Sequence, residues 1–556
     1  MDFNHYFKNE ELEQILHTWA EQYPALVKLS ELGRSYEDRP IWLLTLTTQA
    51  SGADTEKPAM WIDANIHATE LAGTTTALRI VQTLLDGYGK DPRITRQLDY
   101  HTYYIVPRAN PDGAALALQA VPRAVRSGVR FYPWGERQPG LHEEDIDGDG
   151  RILTMRLLDP NGDWKVSELD PRLMQKRRPD EHGGVYYRLL PEGRILDFDG
   201  YRITTAPRPE GLDFNRNFPF EWRTEGQQHG AGDYPASEPE VRAMVDFVAR
   251  HRNINIAVTY HTFSRVILRP YSTKSDDEME VSDLWVFKTI GEIGSGITGY
   301  RSVSTFHDFK YHPKEVTSGA FDDYLYDHFG AYAFTIELWD LPNEAGLKDR
   351  KFIEWYRIHP HEEDLQILKW ADEHAPSGYV PWYPVKHPQL GQIELGGWDL
   401  MYTWRNPPPS LMAAEAERNV PFALALCDLL PRLSLFAFEA LPLGDGKYHI
   451  NLVVDNTGYL PTCTSEQGKK RKAVRPVRAQ LELPAGAEVI NGRAQVELGH
   501  LEGRSNKFDV IPVWAEGDTD HRGRAVWTIR GQPGSTVSVT VSSERAGTLH
   551  GSIRLP

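Results

Sequence analysis

A buried strand that runs directly into an amphipathic helix constrains this chain most, because potential metal ligands lie at the junction. Residues 59–66 are mostly apolar, and apolar residues then recur at helical spacing from Leu71 to Leu85. His67 and Glu70 therefore lie where the strand ends and the helix begins. Ligands bind at this edge of an open α/β sheet, and a histidine nitrogen and a carboxylate oxygen are both ligands that zinc accepts.

The spacing of His67 and Glu70 carries little information alone, because about one such pair is expected by chance in a chain with 20 histidines. The alternative explanation for this pair is a glutamate whose negative charge interacts favourably with the dipole at the start of the helix, next to an ordinary histidine. Two later strands change this assessment. Residues 254–260 form an apolar strand that leads to His261, and residues 331–336 form another that leads to Glu337.

The carboxyl ends of these three strands are expected at one edge of a mostly parallel sheet, so the four polar side chains should converge. Two histidines and one carboxylate, namely His67, His261 and Glu70, would fill three tetrahedral zinc positions and leave the fourth for water. This is the catalytic rather than the structural arrangement. Glu337 is then free to act as a general base.

The rest of the chain predicts two structural regions. Strands alternate with helices, as at residues 41–46 and 102–106, which predicts an α/β fold with a mixed, mostly parallel sheet covered by helices. Residues 376–409 are rich in Pro, Trp and Tyr and indicate a packed linker, followed by a helix at about 413–430. Short alternating runs from Leu433 onward predict a C-terminal all-β sandwich. We therefore divide the chain into a catalytic domain (1–375), a linker with a helix (376–431) and a β-sandwich (432–556).

A long insertion rich in Pro, Gly and charged residues interrupts the alternation at about residues 120–209. An insertion of this length inside a compact domain is usually functional. It contains Asp145, Asp147 and Asp149, which with the following glycine match the first half of a calcium-binding loop. The twelfth position is Arg156 instead of the bidentate glutamate that such a loop needs, so the alternative is an acidic turn held by Asx and Gly conformations.

The composition is that of an ordinary globular protein, with 40% hydrophobic residues, 25% charged residues and a net charge of −17. The negative charge argues against a nucleic acid or an anionic membrane as partner. With Cys427 and Cys463 as the two cysteines, a disulfide scaffold and a thiolate metal cluster are excluded. No window approaches about 18 apolar residues, and the N-terminal residues do not resemble a signal peptide. We therefore expect a cytoplasmic protein, unless a leader has been removed.

Five motifs, in order, resemble the zinc metallocarboxypeptidase family, the carboxypeptidase A-like exopeptidases. The motifs are Asn65-Ile66-His67-Ala68-Thr69-Glu70, Asn110-Pro111-Asp112-Gly113, Asp213-Phe214-Asn215-Arg216-Asn217-Phe218, Tyr260-His261 and Phe334-Thr335-Ile336-Glu337-Leu338. Each motif is common alone, but five in this order over about residues 5–370 are specific. The resemblance implies a carboxypeptidase-like fold with one zinc ion on His67, Glu70 and His261, in agreement with the positions at the strand ends.

The resemblance also implies roles in substrate binding. Asn215 and Arg216 would bind the terminal carboxylate of the substrate, and a guanidinium suits this role because it forms two hydrogen bonds with a carboxylate. Family members carry a further arginine that helps to polarise the scissile carbonyl. The aromatic residue that normally fixes the register is missing from residues 174–179. Arg177 is our choice there, its neighbours in this run are equally eligible, and Arg108 is the other candidate.

Two positions near Glu337 decide the expected specificity. Counting back from Glu337 places Glu315 where the best-studied members carry a mobile tyrosine, and Tyr311 lies four residues earlier and could replace it. The same count aligns Asp322 with the floor of the side-chain pocket, which predicts a preference for a C-terminal Lys or Arg. A shift of one residue would place Phe321 there and predict an apolar preference.

We therefore predict a zinc-dependent metallocarboxypeptidase that hydrolyses the C-terminal amide bond of peptides with a free terminal carboxylate. A first alternative is a zinc amidohydrolase acting on peptidoglycan stem peptides or γ-linked glutamate. A second is an inactive homologue that serves as a binding module. A third adds sugar binding by the β-sandwich, although Trp514 and Trp527 are predicted to lie in its core. The state of assembly is not predicted.

Overall fold

The structure is a computed structural model that describes residues 1–310, 312, 314–348, 350–515 and 517–556. The strands are β1 (Val27–Arg34), β2 (Pro40–Leu46), β3 (Ala59–Ala64), β4 (Thr102–Val106), β5 (Gly140–Glu143), β6 (Thr154–Leu158), β7 (Trp164–Val166), β8 (Met174–Lys176), β9 (Tyr187–Pro191), β10 (Gly193–Leu196), β11 (Ile254–Thr262), β12 (Val266–Arg269), β13 (Arg301–Ser304), β14 (Tyr332–Leu338), β15 (Tyr379–His387), β16 (Gly391–Trp398), β17 (Leu433–Gly444), β18 (Lys447–Asn456), β19 (Val477–Glu482), β20 (Glu488–Asn491), β21 (Gln495–Gly499), β22 (Arg522–Arg530), β23 (Thr536–Ser543) and β24 (Gly547–Arg554).

The helices cover the sheets and connect them. They are α1 (Asn9–Gln22), α2 (Ala72–Gly87), α3 (Pro92–Tyr100), α4 (Pro111–Ala117), α5 (Pro239–Arg250), α6 (Val281–Thr298), α7 (Thr305–Asp308), α8 (Phe321–Phe329), α9 (Leu341–Glu344), α10 (Phe352–Trp355), α11 (His361–His374), α12 (Pro409–Cys427) and α13 (Glu466–Lys470). None of the helices described is long and apolar enough to cross a membrane.

One eight-stranded sheet forms the centre of the catalytic region, with the strand order β1-β2-β4-β3-β11-β14-β12-β13. Parallel pairing joins β4, β3, β11 and β14 at its centre. Antiparallel pairing joins β1 to β2, β2 to β4 and β12 to β14. The prediction of a mixed, mostly parallel sheet is confirmed, and the carboxyl ends of β3, β11 and β14 lie side by side.

Helices on both faces bury the central strands, which explains why their sequences are almost continuously apolar. Every residue of β3, β4, β11 and β14 is buried. α12 packs against α2 and α6, while α5 contacts β1 and α8 contacts β14. The predicted strand at residues 102–106 is confirmed. The helix predicted at about 413–430 begins four residues earlier, at Pro409, since proline is well suited to the first turn of a helix.

The insertion folds into short strands, which its Pro, Gly and charge-rich composition does not indicate. Its strands β6 to β9 join the hairpin β15–β16 in one six-stranded sheet, and β5 pairs with β10. The hairpin occupies part of the segment that we interpreted as a linker. The strands of the insertion are three to five residues long. Such short strands give no clear alternating pattern, so the sequence does not reveal them.

Two four-stranded sheets, β17-β18-β22-β20 and β21-β19-β23-β24, form the C-terminal β region. Inward-facing residues alternate with exposed ones along β22 and β23, and the inward residues of the two sheets share one core. Trp527 belongs to this core. The prediction that Trp514 also lies in the core is wrong, because Trp514 is 68% exposed.

The β region docks against the central sheet at the end opposite to His261. Asn255, near the start of β11, accepts a hydrogen bond from Thr464 and donates one to the carbonyl of Arg545. Arg545 is itself buried and donates to carbonyl oxygens of the catalytic region. His261 lies further along β11, and at 3.3 Å per residue the separation is about 20 Å. The β region therefore packs far from the metal-ligand edge of the sheet.

Candidate active site

The loop between β3 and α2 presents His67 and Glu70. Asn65, directly after β3, takes a positive φ of 59° and donates its side-chain amide to the carbonyls of His67 and Ala68. Arg108 in turn donates Nε to the side-chain oxygen of Asn65. Asparagine tolerates this left-handed conformation better than most residues do. The local sequence therefore fixes the direction in which this loop leaves the strand.

β11 and β14 present His261 and Glu337. Each is the penultimate residue of its strand, and the two are paired directly across the parallel ladder. Both strands are longer than the sequence pattern predicts. Their backbone pairing continues past the last apolar residue to include His261 and Glu337. The structure brings all four residues to one edge of the sheet, as the strand pattern predicts.

His67, Glu70 and His261 form a compact, buried cluster. The Nδ1 atoms of the two histidines are 3.0 Å apart. Each Nδ1 also lies 3.0 Å from an oxygen of the Glu70 carboxylate. Two imidazole nitrogens and one carboxylate oxygen directed at a common point are the ligand set of a catalytic zinc site with a fourth position for water.

Hydrogen bonds on the far side of each imidazole orient its Nδ1 atom toward the cluster. His67 Nε2 lies 3.1 Å from a carboxylate oxygen of Asp213. His261 Nε2 lies 3.2 Å from the hydroxyl of Thr259, which donates its own proton to Asp63. Each Nε2 therefore carries the proton, and a lone pair remains on Nδ1 for a metal. The residues present fit a zinc ion.

Glu337 lies beside the cluster and offers a carboxylate oxygen for proton transfer. The residue is buried, and its Oε2 has no hydrogen-bond partner among the described residues. Burial, and then the charge of Glu70, raises the pKa of Glu337 to about 8. A carboxylate with a pKa near neutrality is suited both to accept a proton and to return it.

Arg126 is a candidate catalytic residue that sequence reasoning did not find. Its guanidinium bridges two carboxylates, with Nη1 at 3.2 Å from Glu70 and Nε at 2.8 Å from Asp213. It also lines a cavity together with Glu337. The residue lies at the start of the insertion, between other arginines and outside the five motifs. No sequence signal therefore distinguishes it from its neighbours.

The structure does not bring Arg177 or Arg108 to the cluster, so the assignment of the carbonyl-polarising arginine to Arg177 is corrected here. Arg177 directly follows β8, lies 3.7 Å from the centroid of the Tyr186 ring and donates to the carbonyl of Glu181. Arg108 is buried and donates to the carbonyl of Phe7 and to Asn65. Arg177 thus lies at the end of a strand of the insertion sheet. The sequence gives no sign of that sheet.

A narrow recess next to the cluster contains Asn215 and Arg216. Asn215 is held by the backbone N–H of Phe321, which donates to its side-chain oxygen. Arg216 donates to the carbonyl of Asn215, and its Nη2 lies 3.8 Å from Asp213. His67, His261 and Glu337 line the same recess. The proposed carboxylate-binding pair and the metal cluster therefore share one space.

Asp322 also lines this recess, and Phe321 does not. Asp322 is 3% exposed and accepts a hydrogen bond from the hydroxyl of Thr335. Phe321 packs against the rings of Trp61 and Phe218 in the core. Of the two alternatives given above, the structure therefore places Asp322 and not Phe321 in the recess.

Of the two residues predicted in place of the family tyrosine, the structure describes Glu315, which does not lie at the cluster. Tyr311 lies outside the described residues. Glu315 is exposed, and its backbone N–H donates to the carbonyl of His312. Glu315 lies before α8 on the surface of the protein and not among the buried ligands.

The acidic loop of the insertion forms a hydrogen-bonded turn. The carboxylates of Asp145, Asp147 and Asp149 lie within 4.8 Å of one another. Each accepts a backbone N–H of the same loop, and Tyr383 donates its hydroxyl to Asp147. These contacts are those of the Asx turns given above as the alternative explanation. Calcium binding at this loop stays a prediction.

A cavity of about 590 Å³ opens next to the metal cluster. It is lined by Thr69, Glu70, Ala124, Val125, Arg126, Arg208, Thr262, Phe263, Phe309, Glu337, Ile353, Tyr356, Arg357, Leu400, Met401 and Arg405. The cavity and the recess share Arg126, Phe309 and Glu337. The two spaces therefore meet at the candidate general base.

Two protein families match this chain in separate regions. The family described as "Zinc carboxypeptidase" (Peptidase_M14) matches residues 12–366. A family described as "Domain of unknown function" (DUF8731) matches residues 432–554. The first match includes the metal cluster, the recess and the candidate base, and the second is confined to the β region.

Curated relatives and solved structures are similar over the catalytic region. Carboxypeptidase A4 of Mus musculus is 27% identical over 349 residues, which cover 61% of this chain and 64% of that protein. Carboxypeptidase A2 of Rattus norvegicus is 25% identical over 384 residues, which cover 67% of this chain and 71% of that protein. The structure of thrombin activatable fibrinolysis inhibitor is 25% identical, covers 61% of this chain and 69% of that chain, and gives a TM-score of 0.40. The chain thus spans about two thirds of the length of these curated relatives.

Proposed function

We propose that this chain, which belongs to the zinc carboxypeptidase family, hydrolyses the C-terminal amide bond of peptides and uses one zinc ion per chain. The observation that carries the proposal is the buried cluster of His67, Glu70 and His261 with Glu337 beside it. Two neutral imidazoles and one carboxylate are the ligands of a catalytic zinc site. The adjoining carboxylate is placed to serve as a base.

The side chains at the junction of the recess and the cavity supply the other steps. Zinc held by the cluster would supply Lewis acidity to the attacking water and the scissile carbonyl. Glu337 accepts a proton from the attacking water and returns it to the leaving nitrogen, so that the amine departs neutral. Arg126, held by Glu70 and Asp213, donates N–H bonds to the carbonyl oxygen as negative charge develops on it.

The recess binds the C-terminal residue of the substrate. Asn215 and Arg216 bind its carboxylate, and the planar guanidinium of Arg216 can form two parallel hydrogen bonds with it. Asp322 favours a Lys or Arg side chain, because among the described residues the acidic groups of the recess are its carboxylate and that of Glu337, the candidate base. The position of Phe321 in the core supports this preference over an apolar one.

The proposal is tested by hydrolysis of blocked dipeptides ending in Phe, Leu, Lys, Arg and Glu, with and without a zinc chelator. We expect release of C-terminal Lys or Arg that the chelator abolishes and added zinc restores. The same peptides with an amidated C-terminus are the matched control, and they should be poor substrates because Arg216 then has no carboxylate to bind.

The possible outcomes separate the parts of the proposal. Preferred release of Phe or Leu would refute the role of Asp322 and leave the carboxypeptidase activity standing. Hydrolysis that persists after complete removal of metal would refute the zinc mechanism. If zinc binds but no peptide of the panel is cleaved, an amidohydrolase acting on γ-linked glutamate or peptidoglycan stem peptides takes the place of the carboxypeptidase.

A further inference from the structure

We infer that the preferred substrate carries a carboxylate on the acyl side of the scissile bond, and that arginines of the cavity bind it, chiefly Arg405 and Arg357. The inference rests on the proposed function and names its substrate class, which is acidic peptides. An α-linked acidic residue and a γ-linked glutamate both present such a carboxylate, and the experiment below distinguishes them.

The geometry assigns the two spaces to the two parts of the substrate. The recess holds the leaving residue, because Asn215 and Arg216 lie there to bind its terminal carboxylate. The recess and the cavity meet at Arg126, Phe309 and Glu337. The bond under attack lies at this junction, so the acyl part extends into the cavity. A volume of about 590 Å³ is within the usual range of ligand pockets.

The cavity is cationic in a chain that is strongly anionic. The charged side chains among the described lining residues are two glutamates, Glu70 and Glu337, and four arginines, Arg126, Arg208, Arg357 and Arg405. Glu70 belongs to the metal cluster and Glu337 is the base. Arg126 bridges Glu70 and Asp213, and Arg208 pairs with Glu143, so the guanidinium groups assigned to substrate binding are those of Arg357 and Arg405. The net charge of the whole chain is −17, so this local concentration of arginine is the opposite of what the composition predicts.

Arg405 reaches the metal-ligand edge from a segment beyond the part of the chain that matches the family. It ends a π-helical turn, Leu400–Arg405, that Asp399 caps through backbone N–H groups. The guanidinium carbon of Arg405 lies 5.9 Å from the centroid of the Phe263 ring. Phe263 follows His261 by two residues. The family match ends at residue 366, so this contact belongs to the extension of this chain.

The surroundings of these arginines strengthen their attraction for an anion. The apolar residues lining the cavity are Phe263, Phe309, Ile353, Tyr356, Leu400 and Met401. Leu400 and Tyr356 are 63% and 40% exposed, so these side chains only partly shield the arginines from water; a lower local dielectric constant increases the energy between unlike charges. A guanidinium also matches a carboxylate in shape and binds it through two parallel bonds. A cationic side chain in the same place would be repelled.

A second cavity of about 640 Å³ adjoins the first. It shares Phe309, Ile353 and Arg357 with the first. Its further charged residues are Arg301, Lys310 and Lys351 on the basic side and Asp308 and Glu354 on the acidic side. Lys351 pairs with Glu354, and the other basic residues of this lining are Arg301, Lys310 and the shared Arg357.

The first test compares substrates that differ only on the acyl side. Blocked dipeptides with Glu, Gln, Ala or Lys there, and a γ-glutamyl compound, all end in the residue that the panel above selects. We expect kcat/KM for one of the glutamyl compounds to exceed that for the Gln compound by about tenfold or more, with Lys the poorest. The better of the two glutamyl compounds identifies the linkage. Equal values for the glutamyl and Gln compounds would overturn the inference and leave the proposed function intact.

The second test removes the arginines. Arg405→Gln and Arg357→Gln should each lower the ratio of kcat/KM between the Glu and Gln substrates, and the double variant should bring it close to one. Arg405→Glu should shift the preference toward the Lys substrate. Arg530→Gln removes an exposed arginine of the β region that pairs with Glu488 and, as the matched control, should leave the ratio unchanged. A ratio that stays unchanged in the double variant refutes the assignment.

A binding measurement separates this inference from the proposed reaction. Zinc-loaded protein carrying Glu337→Gln is titrated by calorimetry with the Glu and Gln peptides. The Glu peptide should bind with a Kd lower by about tenfold. Absence of turnover by the native protein would refute the proposed reaction, whereas equal Kd values would refute the inference.

Discussion

The cavity has two walls that the chain builds in different ways. One, the ligand wall, consists of Glu70, Thr262 and Glu337 at the ends of the central strands. The other, the added wall, consists of Arg208, Ile353, Tyr356, Arg357, Leu400, Met401 and Arg405. The register of a buried parallel sheet fixes the ligand wall. Short helices, a capped turn and the end of the insertion form the added wall.

Under the proposed function, this difference would place catalysis on one wall and substrate selection on the other. His261 and Glu337 are neighbours in the parallel ladder, so neither can move without shifting a strand that is buried on both faces. Residues of a capped turn such as Leu400–Arg405 can be substituted without disturbing that sheet. Substitutions in the ligand wall should therefore abolish reaction, and those in the added wall should change preference or stability.

The largest effect is expected for Glu337→Gln. A glutamine cannot accept the proton of the attacking water, so kcat should fall by roughly 10³–10⁴-fold. Zinc content should stay at one per chain, because Glu337 is not among the three clustered ligands. Steady-state kinetics on the best substrate of the panel and metal analysis of the purified protein measure the two quantities.

The control for this variant is Glu373→Gln, which removes a carboxylate from the exposed face of α11. It should retain the turnover of the native protein. If Glu337→Gln kept more than about a tenth of the native kcat, Glu337 would not be the base, since general-base catalysis contributes at least about 10²-fold.

The next effect concerns metal affinity, through Asp213→Asn. Although burial raises the pKa of Asp213, the charges of Arg126 and Arg216 hold it well below its usual range, so the side chain is anionic. It accepts the Nε2 proton of His67. Asparagine keeps the size of the group but loses its charge, so zinc should bind about 10–100-fold more weakly. Competition with a chromogenic chelator gives the zinc Kd.

Asp199→Asn is the matched control for this prediction, because Asp199 is an exposed carboxylate that accepts backbone N–H groups in the insertion. Its zinc Kd should equal that of the native protein. An unchanged Kd in Asp213→Asn would show that His67 does not depend on this partner, and the ligand wall would then be less tightly organised than its hydrogen bonds indicate.

The ligand wall was predictable from the sequence because its causes are local. β3, β11 and β14 are continuous apolar runs, each followed or ended by a polar residue, and parallel strands place such residues at one edge. Nothing beyond periodicity and residue chemistry is needed to bring His67, Glu70, His261 and Glu337 together. The resemblance to a family of known order then added Asn215 and Arg216 in the recess.

The added wall was not predictable because its causes are distant contacts. Arg208, and Arg126 next to the ligand wall, lie near the two ends of an insertion whose strands are too short to show a period. Arg405 lies in a segment that we interpreted as a linker and that packs beside Phe263, more than 140 positions away in the chain. Arg177 was chosen from a basic run in the same insertion without an aromatic residue to fix the register, and the structure places it away from the metal cluster.

The smallest effect on turnover is expected for Asn406→Ala, at the point where the two walls are joined. Asn406 is fully buried and directly follows the turn that carries Arg405. Its amide donates to the carbonyl of Thr69 at 2.8 Å, and its oxygen accepts from the N–H of Ala72 at 3.0 Å. Alanine leaves these groups unsatisfied, which should lower the free energy of unfolding by about 1–3 kcal/mol, as urea denaturation measures.

Turnover in Asn406→Ala should fall by less than about tenfold, because Asn406 supports the backbone on both sides of Glu70 without touching the metal ligands' side chains. Asn491→Ala, an exposed position at the end of β20, should change neither quantity. A loss of turnover in Asn406→Ala as large as that in Glu337→Gln would mean that the added wall positions Glu70. Catalysis and selection would then depend on one unit, and substitutions at Arg405 should alter kcat as well as preference.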